Sequence, residues 1–163
     1  MLVPVMPPQS FQPTVVAGLL SPYDAIQGLA YFPRMISKIR LHAAGHLPEA
    51  YHQNLGGGFD GRCVRFLGVD YDALKTEVLR SDASDEALLK WCFTHGRRPT
   101  EEEIMIWSEF LMKRGWRDPS RTLLRRRLRE AGLPEEGLGI ETMFDFIDMD
   151  EGRPLRSQDA DLR

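Results

Sequence analysis

Cationic side chains recur at every fourth position in one stretch of the sequence, where they could bind an anion. The members of this ridge are Arg34, Lys38, His42 and His46. Residues four apart share one side of an α-helix. A glycine-rich segment follows and ends at Arg62; glycines let backbone N–H groups approach a ligand, and arginine pairs with phosphate or carboxylate. We therefore predict a site for a small phosphate- or carboxylate-bearing ligand, with Arg34, Lys38, His42 and Arg62 as its binding residues.

The same histidines allow two alternative kinds of chemistry. A metal ion with an open coordination position could use imidazole and carboxylate ligands, and the candidates are His42, His46, Glu49 and His52. We favour no metal, because Gly45 and Pro48 interrupt the helix between these ligands. His52 and Asp60 flank the glycine-rich segment and form the candidate acid–base pair. No Ser–His–Asp or Cys–His set is recognisable, so the sequence leaves open whether the protein is an enzyme.

The glycine-rich segment does not indicate a nucleotide cofactor. Residues 56–61 match Gly-x-Gly-x-x-Gly, but that fingerprint needs a buried strand before it and a helix after it. Residues 52–55 have no such strand pattern. The sequence therefore names no cofactor.

A basic segment at 113–129 supports an alternative function. It carries many Lys and Arg residues against the single acid Asp118. Such a surface could make the chain a non-enzymatic protein–protein interaction module, including one that forms homo-oligomers. Residues 130–163 are rich in Asp and Glu and offer an intramolecular partner, so we do not expect nucleic acid to bind the segment.

Short helices are the elements predicted to position these residues. Ser21 followed by Pro22 predicts a helix start, Thr100 with Glu103 predicts a capping box, and 53–61 is predicted as a loop. Strict alternation of apolar and polar residues is nowhere sustained, which excludes a sheet protein. The predicted fold is all-α, a compact bundle of six to eight short helices. We expect an extended, proline-rich N-terminal arm at 1–20, a single helical domain at 21–152 and a flexible tail at 153–163.

Composition indicates a globular protein in a reducing compartment. The 163 residues are 42% hydrophobic and 28% charged, with a net charge of −3, which is ordinary for a globular domain and excludes a disordered chain. Cys63 and Cys92 lie far apart in the sequence among apolar neighbours, so neither a disulfide framework nor a zinc cage of thiolates is expected. Prolines interrupt the apolar start of the chain, so we expect no signal peptide or membrane anchor and a cytoplasmic location.

Several motifs together resemble a known family. They are Gly28-Leu-Ala-Tyr-Phe-Pro-Arg-Met-Ile36 with Lys38, Phe59-Asp-Gly-Arg62, Phe66-Leu-Gly-Val69, Asp85-Glu86 ahead of Trp91, and Trp107. Over about 24–152 the chain resembles the bacterial family called domain of unknown function 5069. The resemblance implies a small helical bacterial protein and no particular activity. Ser37 stands where related sequences often have Asp before the lysine.

Overall fold

Helices supply nearly all the regular structure in residues 6–156, the part of the chain that the structure, a computed structural model, describes. The helices are α1 (Phe32–Ala43), α2 (Gly58–Leu67), α3 (Tyr71–Arg80), α4 (Asp85–His95), α5 (Glu101–Met112), α6 (Arg121–Glu130) and α7 (Met143–Asp150). A 3₁₀-helix spans Glu49–Asn54, and the two-residue strands β1 (Ala25–Ile26) and β2 (Leu29–Ala30) precede α1. The all-α prediction is confirmed.

The chain divides into two compact units. The large unit is 16–108; the small unit is 109–156 together with 6–15, counting only described residues. The predicted boundaries of arm, domain and tail stay a prediction, and their outermost parts, 1–5 and 157–163, lie outside the described residues.

The core of the large unit is built around α1 and α3. Helix α1 buries apolar side chains at i, i+3, i+4 and i+7, the spacing of one helical face: Phe32, Met35, Ile36 and Ile39. Helix α3 contributes Leu74 and Val78 and packs against α1, α2 and α4. This packing fixes the side of α1 that carries Arg34 and Lys38.

The predicted helix start at Ser21 is wrong, because residues 21–30 form turns and a hairpin. Strands β1 and β2 pair antiparallel, with Ala25 opposite Ala30. The two residues between the strands, Gln27 and Gly28, both have positive φ, 49° and 79°. Two consecutive residues in the left-handed region form a tight turn whose twist matches that of the hairpin strands. Glycine adopts this conformation without a steric penalty at one of the two positions.

The predicted loop at 53–61 is also only partly correct. The 3₁₀-helix already includes Gln53 and Asn54, and α2 begins at Gly58, inside the glycine-rich segment. Helix α2 buries Asp60, Cys63, Val64 and Leu67. That spacing is helical, so Asp60 occupies a core-facing position.

The small unit has its own core, formed by α6, α7 and the connection between them. Leu124 and Leu128 of α6 pack with Leu138 and Ile140. Thr142 caps α7 through a capping box with Asp145, in which each side chain accepts a hydrogen bond from the other residue's backbone N–H. The apolar contacts among these leucine and isoleucine side chains support the basic segment from the core of the small unit.

Candidate functional site

The first two cations of the predicted ridge are buried. Arg34 and Lys38 are 4% and 3% exposed, because both lie on the part of α1 that the large unit covers. Arg34 Nη1 donates a hydrogen bond of 2.7 Å to the carbonyl oxygen of Leu20. The guanidinium thereby ties the segment before the hairpin to α1.

Lys38 forms a buried ion pair with Asp60. Its Nζ lies 2.8 Å from Asp60 Oδ1, and Asp60 is 0% exposed. The same Oδ1 accepts a hydrogen bond of 2.7 Å from the Tyr31 hydroxyl, and Oδ2 accepts one of 3.1 Å from the Gly56 N–H. Buried charges need both a partner and hydrogen bonds, and here the ion pair has both. The cluster joins α1, α2 and the glycine-rich segment.

Tyr31 serves this cluster as a hydrogen-bond donor. Burial raises the pKa of its hydroxyl well above the ordinary value, and the charge of Asp60 raises it further, so the hydroxyl keeps its proton. Its oxygen also accepts a hydrogen bond of 3.3 Å from Lys38 Nζ. Burial likewise raises the pKa of the nearby Cys63 thiol, which keeps that sulfur an unreactive thiol.

The glycine-rich segment forms a tight turn that leads directly into α2. Gly56 has φ +72°, and a Cβ there would lie 2.8 Å from Cδ1 of Tyr71, so only glycine fits. Gly57 is the N-cap of α2 and has extended backbone angles; it has no side chain to accept hydrogen bonds from the first-turn amides. Arg62, in the second turn of α2, is exposed. The glycine-rich segment, which was predicted as a loop, therefore contains a defined turn beside an exposed arginine.

The structure brings together only two of the four candidate metal ligands. The rings of His42 and His52 meet edge to face, with centres 4.6 Å apart. His46 and Glu49 are exposed. In the described part of the chain, no three or more His, Cys, Asp or Glu side chains form a group that could hold a metal ion. The four-residue metal site drawn from the sequence is thus not assembled.

The candidate acid–base pair is not joined by a hydrogen bond. His52 uses Nε2 for a 2.8 Å hydrogen bond with the carbonyl oxygen of Leu47, while both oxygens of Asp60 face the buried cluster. Sequence reasoning selected Lys38 and Asp60 separately and missed their pairing. The helical spacing of Asp60 with Cys63, Val64 and Leu67 could have shown that Asp60 faces the core, although it does not identify the cation that Asp60 meets.

Comparison of the sequence with protein families agrees with the resemblance drawn from its motifs. The family model described as domain of unknown function (DUF5069) matches residues 17–153. The chain belongs to this family. The search of curated proteins found no match to the sequence of this chain. Across residues 6–156 of this DUF5069 protein, no helix combines the length and apolar character needed to cross a membrane.

An open groove in the large unit of this DUF5069 protein was not expected from the sequence. Its volume is about 480 Å³, and it is lined by apolar residues that include Leu20, Ile26 and Pro33 and by the acids Asp24, Asp85 and Glu86. None of the predicted anion-binding residues lines it. Carboxylates repel an anion, so this groove does not suit the predicted ligand.

The basic segment of the DUF5069 protein pairs with neighbouring acids. Arg129 lies 2.5 Å from Glu135, and Arg125 lies 3.6 Å from the same carboxylate. Arg127 pairs with Glu130 at 3.1 Å. Much of the positive charge of α6 is therefore compensated within the small unit, as the sequence suggested.

Proposed function

We propose that the protein binds a small phosphate- or carboxylate-bearing ligand at the first turn of α2. The observation that carries this proposal is the glycine N-cap, Gly57, followed by the exposed Arg62. First-turn amides point out of a helix N-terminus and favour negative charge. The glycine cap supplies no side-chain acceptor for these amides, and Arg62 adds a full positive charge nearby.

The buried ion pair supports this proposal through its effect on charge. Asp60 lies in the first turn of α2, where an acid alone would oppose binding of a second anion. Lys38 compensates its charge at 2.8 Å. The proposal therefore assigns Lys38 to neutralising Asp60 rather than to touching the ligand.

The remaining predicted ligands take indirect roles in this proposal. Asp60 Oδ2 accepts a hydrogen bond of 3.1 Å from the Gly56 N–H, which fixes the turn before the N-cap residue Gly57. Arg34 braces the start of the large unit through Leu20. His42 contacts His52 in the 3₁₀-helix that leads into the turn. Among the four predicted residues, Arg62 is the one we expect to contact the anion.

Titration with inorganic phosphate and pyrophosphate, followed by amide NMR, tests the proposal. We expect saturable shifts centred on the amides of Gly58, Phe59 and Asp60, which form the first turn of α2. Arg62→Ala should abolish most of the response, whereas Arg80→Ala, which removes an arginine that pairs with Glu77 on α3, should leave it. Absence of saturable shifts at these amides, or equal losses in both variants, would contradict the proposal.

Gly57→Asp provides a sharper test of the cap. A Cβ at Gly57 has only Asn54 O near it, at 3.9 Å, so a side chain fits. The new carboxylate would accept the first-turn amides, raise the unfolding free energy by about 0.3 kcal/mol and exclude phosphate. Phosphate binding that survives in this variant would place the anion elsewhere.

We propose, as the alternative, a protein–protein interaction function for the basic segment. Trp116 is 46% exposed and stacks with the Arg117 guanidinium, and Leu123 is also exposed. The small unit shows both exposed arginines and the 79%-exposed Glu136 side chain, so a second copy offers complementary charge. Analytical ultracentrifugation should then show concentration-dependent dimers that Trp116→Ala weakens. A monomer at all concentrations would refute self-association.

A further inference from the structure

The two histidines that contact each other have the features of a metal-ligating pair. Leu47 O can only accept a hydrogen bond, so the Nε2 of His52, 2.8 Å away, carries the proton. The Nδ1 of the neutral ring then carries a lone pair. Metal-ligating histidines usually donate their other ring N–H to a carbonyl or carboxylate in this way, which fixes the ring and its tautomer.

The spacing of the rings fits two imidazoles on one ion. With metal–nitrogen bonds of about 2.1 Å, ring centres lie about 4.6 Å apart when the two bonds meet at a right angle and about 5.3 Å apart in a tetrahedron. The centres of His42 and His52 are 4.6 Å apart, and the rings are inclined at 82°. The spacing thus matches the right-angled geometry, which Ni²⁺ and Cu²⁺ adopt in square-planar or octahedral sites.

We propose that His42 and His52 bind a divalent transition-metal ion of the Ni²⁺ or Cu²⁺ class. Two imidazoles leave several coordination positions for water. The site is separate from the first turn of α2 and does not depend on anion binding there.

Calorimetric titration of tag-free protein with NiCl₂, in a buffer that does not bind metals, tests the site. We expect one ion per chain. His42→Ala should weaken binding by at least about tenfold. His52→Gln is the matched variant, because the glutamine amide can still donate to Leu47 O but lacks the Nδ1 lone pair. The His52→Gln variant should keep the thermal stability of the parent protein and bind Ni²⁺ as weakly as His42→Ala does.

His46→Ala is the control for general histidine binding. His46 is exposed and has no part in the proposed pair, so its removal should change the affinity less than about twofold. The proposal is overturned if Ni²⁺ does not saturate, if His52→Gln binds like the parent, or if His46→Ala causes the larger loss.

Discussion

Replacing Lys38 with methionine tests how the buried cluster stabilises the large unit. The substitution keeps the length of the side chain but leaves the Asp60 carboxylate, which is 0% exposed, without its countercharge. Breaking one member of a buried ion pair costs about 3–5 kcal/mol. Tyr31 and Gly56 still donate hydrogen bonds to Asp60, so we expect the lower end of that range, about 3 kcal/mol.

The double-mutant cycle separates charge from packing. Asp60→Asn alone leaves the Lys38 ammonium buried beside a neutral amide, and we again expect a loss of about 3 kcal/mol. Lys38→Met combined with Asp60→Asn removes both charges and leaves no unpaired buried charge, so the double variant should lose less than either single variant. The expected coupling is therefore at least about 3 kcal/mol, well above the roughly 0.5 kcal/mol within which independent sites add.

Urea unfolding followed by thiol labelling reports these changes locally. Cys63 and Cys92 both lie in the large unit and are buried, so their labelling reports its opening. Arg80→Ala is the control, because Arg80 pairs with Glu77 at the surface and its side chain is 68% exposed; we expect a change of no more than about 0.5 kcal/mol. Additive losses in the double variant, or a loss below about 1 kcal/mol for Lys38→Met, would refute the role assigned to the pair.

Three further substitutions probe other contacts of the large unit. Thr100→Ala should lower the unfolding free energy by about 1 kcal/mol, because Thr100 Oγ1 accepts the Glu103 N–H at 3.2 Å; an unchanged urea midpoint would show that the cap is not needed. Ser108→Ala should cost about 1–3 kcal/mol, since the buried Ser108 hydroxyl accepts the Ala30 N–H and donates to the hairpin carbonyl of Gly28; urea midpoints equal to those of the parent would contradict this. Burial raises the pKa of Cys92 to about 12. The protonated thiol therefore contributes fully to the unfolding free energy below the pKa of an unfolded thiol, about 8.5, and this contribution is lost as the pH rises toward 12. Between about pH 8.5 and 10, the unfolding free energy of Cys92→Ala should therefore fall less than that of the parent protein. Parallel pH profiles for the two proteins would contradict this prediction.

Local sequence signals predicted the helices that carry side-chain caps. Thr100 and Glu103 form the capping box expected from their types and spacing. Such signals work because the capping side chain bonds to a backbone group only a few residues away. Helix α2 has a glycine N-cap, which offers no such side chain, and its first turn lies in the segment that was predicted as a loop.

The wrong or missed predictions concern features that depend on contacts between residues far apart in the sequence or on unusual backbone angles. Ser21 and Pro22 suit a helix start, but the left-handed Gln27 and Gly28 close a hairpin whose pairing excludes it. Lys38 and Asp60 are 22 residues apart in the sequence. Their ion pair depends on how α1 and α2 both pack against α3, and no local spacing rule contains that information.

Burial divides the predicted anion-binding residues into groups with different roles. Arg34 and Lys38 have internal acceptors and almost no exposed surface, so a ligand could reach them only by displacing those acceptors. Arg62 is exposed beside a turn whose position the Lys38–Asp60 pair fixes. The anion binding proposed at α2 therefore depends on the cluster, whereas the contacts of the cluster do not involve the Arg62 side chain. Loss of the pair should disturb the turn and with it the phosphate response, whereas Arg62→Ala should remove the response and leave the cluster intact.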